Sequence, residues 1–184
     1  MLGLSLGWEI NTFVVILRAT KKLLDRLPKT TVEGDSDTAL GDWYANRIVI
    51  DRRPLVLLVS SASLLPILTP ARDIRNLPMK LPHLVEERLI RLGVPAHLIE
   101  REIAVMSAVQ VAPTRDRSVV GILVGFARDL TYILGTESWN ESHLAGADAN
   151  LAHTPCRVTS KLGDVIYPDK VAPALLMQRW DTPS

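Results

Sequence analysis

The stretch "APTRDRSVVG" (112–121) sets two guanidinium groups, Arg115 and Arg117, and the Ser118 hydroxyl at the start of an apolar run with helical length. Cations at a helix N-terminus face the positive end of the peptide dipole, at a penalty of about 0.3–1 kcal/mol each. A bound phosphate or carboxylate would relieve it, since free N–H groups, two guanidinium forks and a hydroxyl can converge on one anion. The competing reading is structural: Asp116 or Thr114 caps the helix, and the arginines pair with Asp116, Asp42 or Asp51. A second stretch, "GDWYAN" (41–46), lies on one arm of an expected hairpin. Alternation sends Trp43, Ala45 and Arg47 to one face and Asp42, Tyr44, Asn46 and Ile48 to the other. Asp42, Tyr44 and Asn46 therefore join Arg115, Arg117 and Ser118 as a candidate anion site; without the arginines, that face is expected to be solvated. Trp43, as an anchor of the core or of an interface edge, and Arg52 and Arg53 at the hairpin tip form a candidate partner-binding set. Two arginines beside Asp51 with no interleaved aromatic residue are a weak nucleic-acid signal, and an exposed turn accounts for them equally.

Other chemistry leaves little trace. His83, His97, His143 and His153 share no zinc-type spacing, and Pro155 between His153 and Cys156 argues for a turn that both line. There is no nucleophile elbow, phosphate loop or zincin motif. Glu86, Glu87, Glu100 and Glu102 read as surface helix charges. No catalytic residue, metal or cofactor is assigned. The Gly93 junction between two helices is an ordinary helical hairpin: Leu89 is large where a DNA-reading motif has a small residue, and the second helix carries Glu100 and Glu102, so sequence-specific DNA reading is not expected.

The elements that must position these residues follow from periodicity. "FVVILRAT" (13–20) reads as a strand buried on both faces, followed by a short helix, "KKLLDRL", capped by Thr20, and an exposed polar loop over 28–39. Strands over 42–50 and 55–60 form the hairpin, with Pro54 at the turn or the first strand position. Prolines 66, 70 and 78 limit any helix in 61–78 to a short or broken one. Leu81, Leu84, Val85, Leu89 and Leu92 share a helix face that Gly93 ends, Pro95 opens the next helix, and "AVQVA" (108–112) is a short strand. Residues 117–134 are apolar nearly all round, which marks a helix through the core; Gly121 and Gly125, four apart, imply close approach of another backbone. A polar helix is expected around 141–151. The expected fold is α+β, with a small, mainly antiparallel sheet around a central hairpin, packed against several helices including a long buried one. It divides into an extension over 1–12, one domain over 13–178 and a tail over 179–184.

Composition bounds the rest. The 184 residues are 47% hydrophobic and 22% charged with a net charge of +1, which fits a globular chain and excludes a basic footprint over the whole surface. A single cysteine excludes an internal disulfide, and a reducing cytoplasm is expected. No window reaches 18 uncharged apolar residues, so no membrane span is expected, and no basic residue precedes Arg18 as a secretory leader requires.

"LRATKKLLDRL", "LGDWYANRIVIDRRPLVLLVS", "RDRSVVG" and "HTP…YPDKVAPALL" occur in this order over residues 15–178, and the chain resembles an uncharacterised bacterial family of plasmid- and chromosome-borne hypothetical proteins. The resemblance supports a single domain and implies no established activity. It implies polar residues after Gly121, where this chain departs with Ile122, Leu123 and Val124. The functional expectation is a non-enzymatic regulatory or interaction module. Its partner is a protein or a second copy, docking on the hairpin and the Arg115–Ser118 corner. The alternative is a binder or enzyme acting on phosphorylated small molecules or RNA through the anion site, and membership in a toxin–antitoxin or defence system is a third reading.

Overall fold

The computed structural model describes residues 12–31, 34–135, 138–157 and 164–181. The β-branched run near the N-terminus forms strand β1 (Val14–Ala19), from which the chain enters a single helical turn, α1 (Lys21–Leu24). Thr20 stands at the N-cap position without capping; its hydroxyl donates to Asn46 Oδ1 at 2.9 Å. The polar loop after α1 is not simply exposed. Strand β2 (Trp43–Ile50) begins opposite Leu17, so the first half of β1 has no strand on that side. Asp37 exchanges hydrogen bonds with Val14, and Ser36 Oγ accepts the Ile16 N–H, replacing the missing ladder.

The hairpin joins β2 to β3 (Arg53–Ser60) through Asp51 and Arg52, both left-handed at φ 50° and 63° as a two-residue turn requires. Pro54 falls second in β3, opposite Val49; its missing N–H and its carbonyl face the same side, and the carbonyl accepts the Ala71 N–H. The proline-rich segment holds a strand rather than a broken helix: β4 (Pro66–Pro70) pairs antiparallel with β3. Proline at both ends suits an edge, where no outer neighbour needs the donor. Helix α2 (Leu77–Arg91) begins four residues before its apolar stripe, with Pro78 in its first turn and Pro82 inside. Gly93 (φ 78°) ends it, and the Val94 N–H reaches back to the Leu89 carbonyl at 3.1 Å, as the sequence predicts. Helix α3 (Ala96–Ala104) leads into β5 (Ala108–Pro113), which lies parallel to β1.

Helix α4 (Arg117–Leu134) matches its expected span, and α5 (Leu144–Ala152) follows a 3-10 turn. Two short strands, β6 (Cys156–Arg157) and β7 (Val165–Ile166), pair with each other before α6 (Pro168–Trp180). The fold is α+β, its main sheet ordered β4-β3-β2-β1-β5, with the antiparallel ladders carrying the larger share of pairs.

Helices cover both faces of this sheet. Val15, Leu17, Trp43, Ala45, Val56 and Leu58 face α2, α3 and α6 through Leu81, Val85, Leu98 and Leu176. Tyr44, Leu55, Leu57 and Val59 face α4 and α5 through Val119, Leu123, Phe126, Leu130, Ala147 and Leu151. Helix α4 is thus buried along one stripe and not through the core; Val124 and Tyr132 are 61% and 72% exposed. Its uniformly apolar composition hides this asymmetry, because among the described residues no element fills the outer face. Among the described residues no other backbone closes on Gly121 or Gly125 either: a Cβ added at each would meet nothing within 4 Å. Among the described residues no helix is long and apolar enough to cross a membrane.

Glu102, expected on the surface, is fully buried. It accepts hydrogen bonds from the Ala39 and Leu40 N–H groups at 2.9 and 3.0 Å and from Trp180 Nε1 at 2.8 Å, tying α3 to the turn before β2 and to α6. Burial nonetheless pushes its carboxyl above the ordinary range, outweighing these three donors. Glu102→Gln turns an amide NH2 against one donor, with an expected loss of about 1–3 kcal/mol in urea unfolding. Because the folded pKa lies above the unfolded one, the wild type's protonated-carboxyl increment is present below the ordinary value and lost as pH rises through the raised one. The gap between wild type and variant should therefore narrow with rising pH; a gap constant from about pH 4 to 8 contradicts this assignment.

Candidate functional site

Parallel pairing sets Arg18 beside Tyr44, so both look toward α4, and Asp42, two residues before Tyr44, looks the same way. Arg18 Nε donates to Asp42 Oδ2, and its Nη1 donates to the Pro113 carbonyl at 3.2 Å, joining β1, β2 and β5 in one network. Ser36 Oγ donates to the other Asp42 oxygen at 2.7 Å. From the loop after β5, Arg115 Nη2 approaches Asp35 at 3.0 Å and Asp42 at 3.6 Å. Tyr44 Oη accepts the Asp116 N–H at 3.2 Å, and the Asp116 carboxylate accepts the Ser118 and Val119 N–H groups at 2.8 and 3.4 Å.

Asp42, Tyr44 and Arg115 therefore meet at the start of α4. The face bearing them is not solvated: Asp42 is 6% and Tyr44 1% exposed, because α4 lies over it. The other predicted residues go elsewhere. Arg117 is exposed, and among the described residues it makes no ion pair. Asn46 turns to Thr20. Trp43 is fully buried on the opposite face of the sheet, in the core beside α2 and α6, which withdraws it from any partner surface. Arg52 is exposed at the tip, whereas Arg53 folds back, donating to the Trp139 carbonyl with its guanidinium 4.8 Å from that ring's centre.

The buried part of the corner is chemically closed, with both Asp42 oxygens taken by Arg18 and Ser36, while Arg115 and Arg117 remain exposed. Hydrogen bonding to Asp35, with Asp42 close by, raises the Arg115 pKa, so its charge is permanent. Asp116 already occupies the first amides of α4, where an external anion would sit. Among the described residues, five well-formed surface clefts have linings that leave out Arg18, Asp42, Tyr44 and Arg115. Among the described residues, no group of three or more His, Cys, Asp or Glu side chains is arranged to hold a metal. Burial, with Asp129 adding to it, pushes the Cys156 thiol up to about 11, which leaves almost no thiolate at neutral pH.

Two further polar constellations escape sequence reasoning. Asp148 is fully buried on α5 and takes a bidentate pair from Arg91 at 2.9 and 3.0 Å, while Arg88, 2% exposed, stands 3.4 Å away. The two arginines come from one helix and the carboxylate from another nearly 60 positions on, so no local spacing announces them. His153 Nδ1 lies 2.7 Å from Asp169 Oδ2, which joins the end of α5 to the first turn of α6. Its available signal is the pairing of "HTP" with "YPD": each segment places one member of the pair at a helix end. That arrangement orients an exposed imidazole by a buried carboxylate, but neither residue lines any of the five clefts.

The family model of the domain of unknown function DUF6933 matches residues 16–171, and the chain belongs to that family. No curated protein and no solved structure matches the chain. "LGDWYAN" accordingly has a structural reading residue by residue. Leu40 fills the core, Gly41 takes φ +72° where an added Cβ would stand 2.5 Å from Ser61 Oγ, and Asp42, Tyr44 and Asn46 each meet a fixed partner.

Asp42→Ala strands a buried guanidinium, and the expected loss is about 3–5 kcal/mol in denaturant unfolding. The double variant Arg18→Met/Asp42→Ala should lose less than the sum of its single changes, and strict additivity would show that the pair is not coupled. Alkylation of native Cys156 by iodoacetamide at neutral pH should run at least about a hundredfold slower than in denaturant. Equal rates would mean that the thiol is neither buried nor raised.

Proposed function

We propose that this family member is a non-enzymatic module that binds a macromolecular partner along the outer face of α4 and the adjoining Arg115–Asp116–Arg117 corner. The observation that carries the reading is one stripe. Arg117, Gly121, Val124, Arg128 and Tyr132 recur at helical spacing on the solvent side, and Val124 and Tyr132 are more than half exposed. Arginines alternating with an apolar and an aromatic side chain suit a partner that presents apolar side chains interspersed with acidic ones. The open space over Gly121 and Gly125 allows another helix to approach closely, so a second copy of the chain is one such partner. Catalysis is disfavoured because Asp42, Tyr44 and the α4 amides are already taken up by Arg18, Ser36 and Asp116.

The convergence of Asp42 and Tyr44 on Arg115 favours a second reading, a site for phosphorylated small molecules or RNA using Arg115, Arg117 and Ser118. An incoming anion would have to displace the Asp116 carboxylate from the Ser118 N–H, which ranks this reading lower.

Capture from cell extract, with light scattering for self-association, separates the two. Val124→Asp and Arg117→Glu should each abolish the captured or dimeric species while leaving the melting temperature within a few degrees. Undiminished capture by both variants rejects the α4 face. Stabilisation by phosphate, nucleotide or short RNA that Arg117→Ala removes would install the second reading in its place.

A further inference from the structure

Where β3 begins and β4 ends, Arg53, Pro54, Leu55, Pro70, Ala71 and Arg72 form the floor of a cleft of about 380 Å3, within the range of small-molecule sites. Its wall is Trp139, Asn140 and Glu141, from the segment between α4 and α5. This wall is held rigid. Trp139 is 4% exposed, with its carbonyl and ring engaged by Arg53. Asn140 and His143 cap each other reciprocally, with the Asn140 N–H donating to His143 Nδ1 at 3.0 Å. The indole Nε1 of Trp139 is buried and, among the described residues, has no hydrogen-bond partner.

The charges in this cleft are not closed in the manner of the Arg18–Asp42 corner. Among the described residues Arg53 forms no ion pair, and only Nη1 has a hydrogen-bond partner. Arg72 pairs with Glu141, but these side chains are 76% and 52% exposed, so water competes for both. Glu141 thus holds Arg72 where an external anion can replace it. The rest of the floor is Pro54, Leu55, Pro70 and Ala71, a surface for an apolar plane and not for a second charge.

We propose that this cleft binds a small molecule made of a planar ring and one anionic group. The carboxylate or phosphate binds Arg53 and Arg72 in place of Glu141, and the ring packs on Pro54 and Pro70. The site is independent of the α4 surface and concerns a different class of ligand.

The test is a titration of the full chain followed by the Trp139 indole N–H resonance, assigned by its loss in Trp139→Phe. Indole-3-acetate and adenosine 5′-monophosphate represent the two sources of the chemistry, and inorganic phosphate is the control. At least one ring ligand should shift that resonance saturably, with inorganic phosphate at least about tenfold weaker. Arg72→Ala should weaken the binding about tenfold, and Glu141→Gln, which removes the internal competitor, should tighten it several-fold. Both residues are exposed, so neither change threatens the fold. No shift at millimolar concentration of either ring ligand overturns the proposal, as does equal binding of inorganic phosphate or indifference to both substitutions.

Discussion

The ion pair between Arg18 and Asp42 is the interaction on which the arrangement of this molecule turns. It sits between strands, where neither group can reach bulk water, and removing one partner would leave an uncompensated charge in a low dielectric. Its geometry therefore dictates what surrounds it. Asp42 can meet Arg18 only if β2 starts at the next residue, Trp43, opposite Leu17, which leaves the first half of β1 to be completed by Ser36 and Asp37. Ser36 in turn satisfies the second carboxylate oxygen, and the Pro113 carbonyl takes a remaining guanidinium donor at the end of β5. Both flanking connections are thereby held at the start of α4.

The same device recurs at two other boundaries. Glu102 satisfies two amides of the turn that leads into β2, and the Asp148 cluster closes the outer edge of β4. There Arg88 donates to the Pro66 carbonyl at 3.0 Å, and Asp148 Oδ2 stands 3.4 Å from the Leu68 N–H. With proline at each end, this edge offers little to a foreign strand. On the opposite edge Thr30 exchanges hydrogen bonds with both the N–H and the carbonyl of Val111. Buried charge in this protein is spent at chain reversals and sheet edges, where main-chain groups lack partners of their own.

A functional consequence follows from this economy. The polar groups that resemble a reactive constellation are engaged with one another, and the less engaged charges are peripheral. The outer stripe of α4 and the Trp139 cleft both present arginines next to apolar surface, and in neither is the charge buried in a closed network. The two differ in form: one is an exposed helix face, the other a concavity of about 380 Å3.

The amino-acid sequence by itself determined the elements whose cause is local. β1, the hairpin, the Gly93 stop and the span of α4 depend on β-branching, turn residues, left-handed glycine and capping, which act within a few positions. The alternation of Trp43 and Tyr44 was likewise legible, as was the approach of Asp42 and Tyr44 to Arg115 as one of two readings. Only the tertiary structure decided which surfaces are covered. It made the proline-rich segment an edge strand instead of a broken helix, put Glu102 and Arg88 inside, laid α4 over the Tyr44 face, and brought Arg53 to Trp139 across 86 positions. The physical reason is that burial belongs to pairs of surfaces and not to residues. A charged side chain on a helix reads as solvent-facing until a distant main-chain donor, acceptor or opposite charge reaches it, and no periodicity records that encounter.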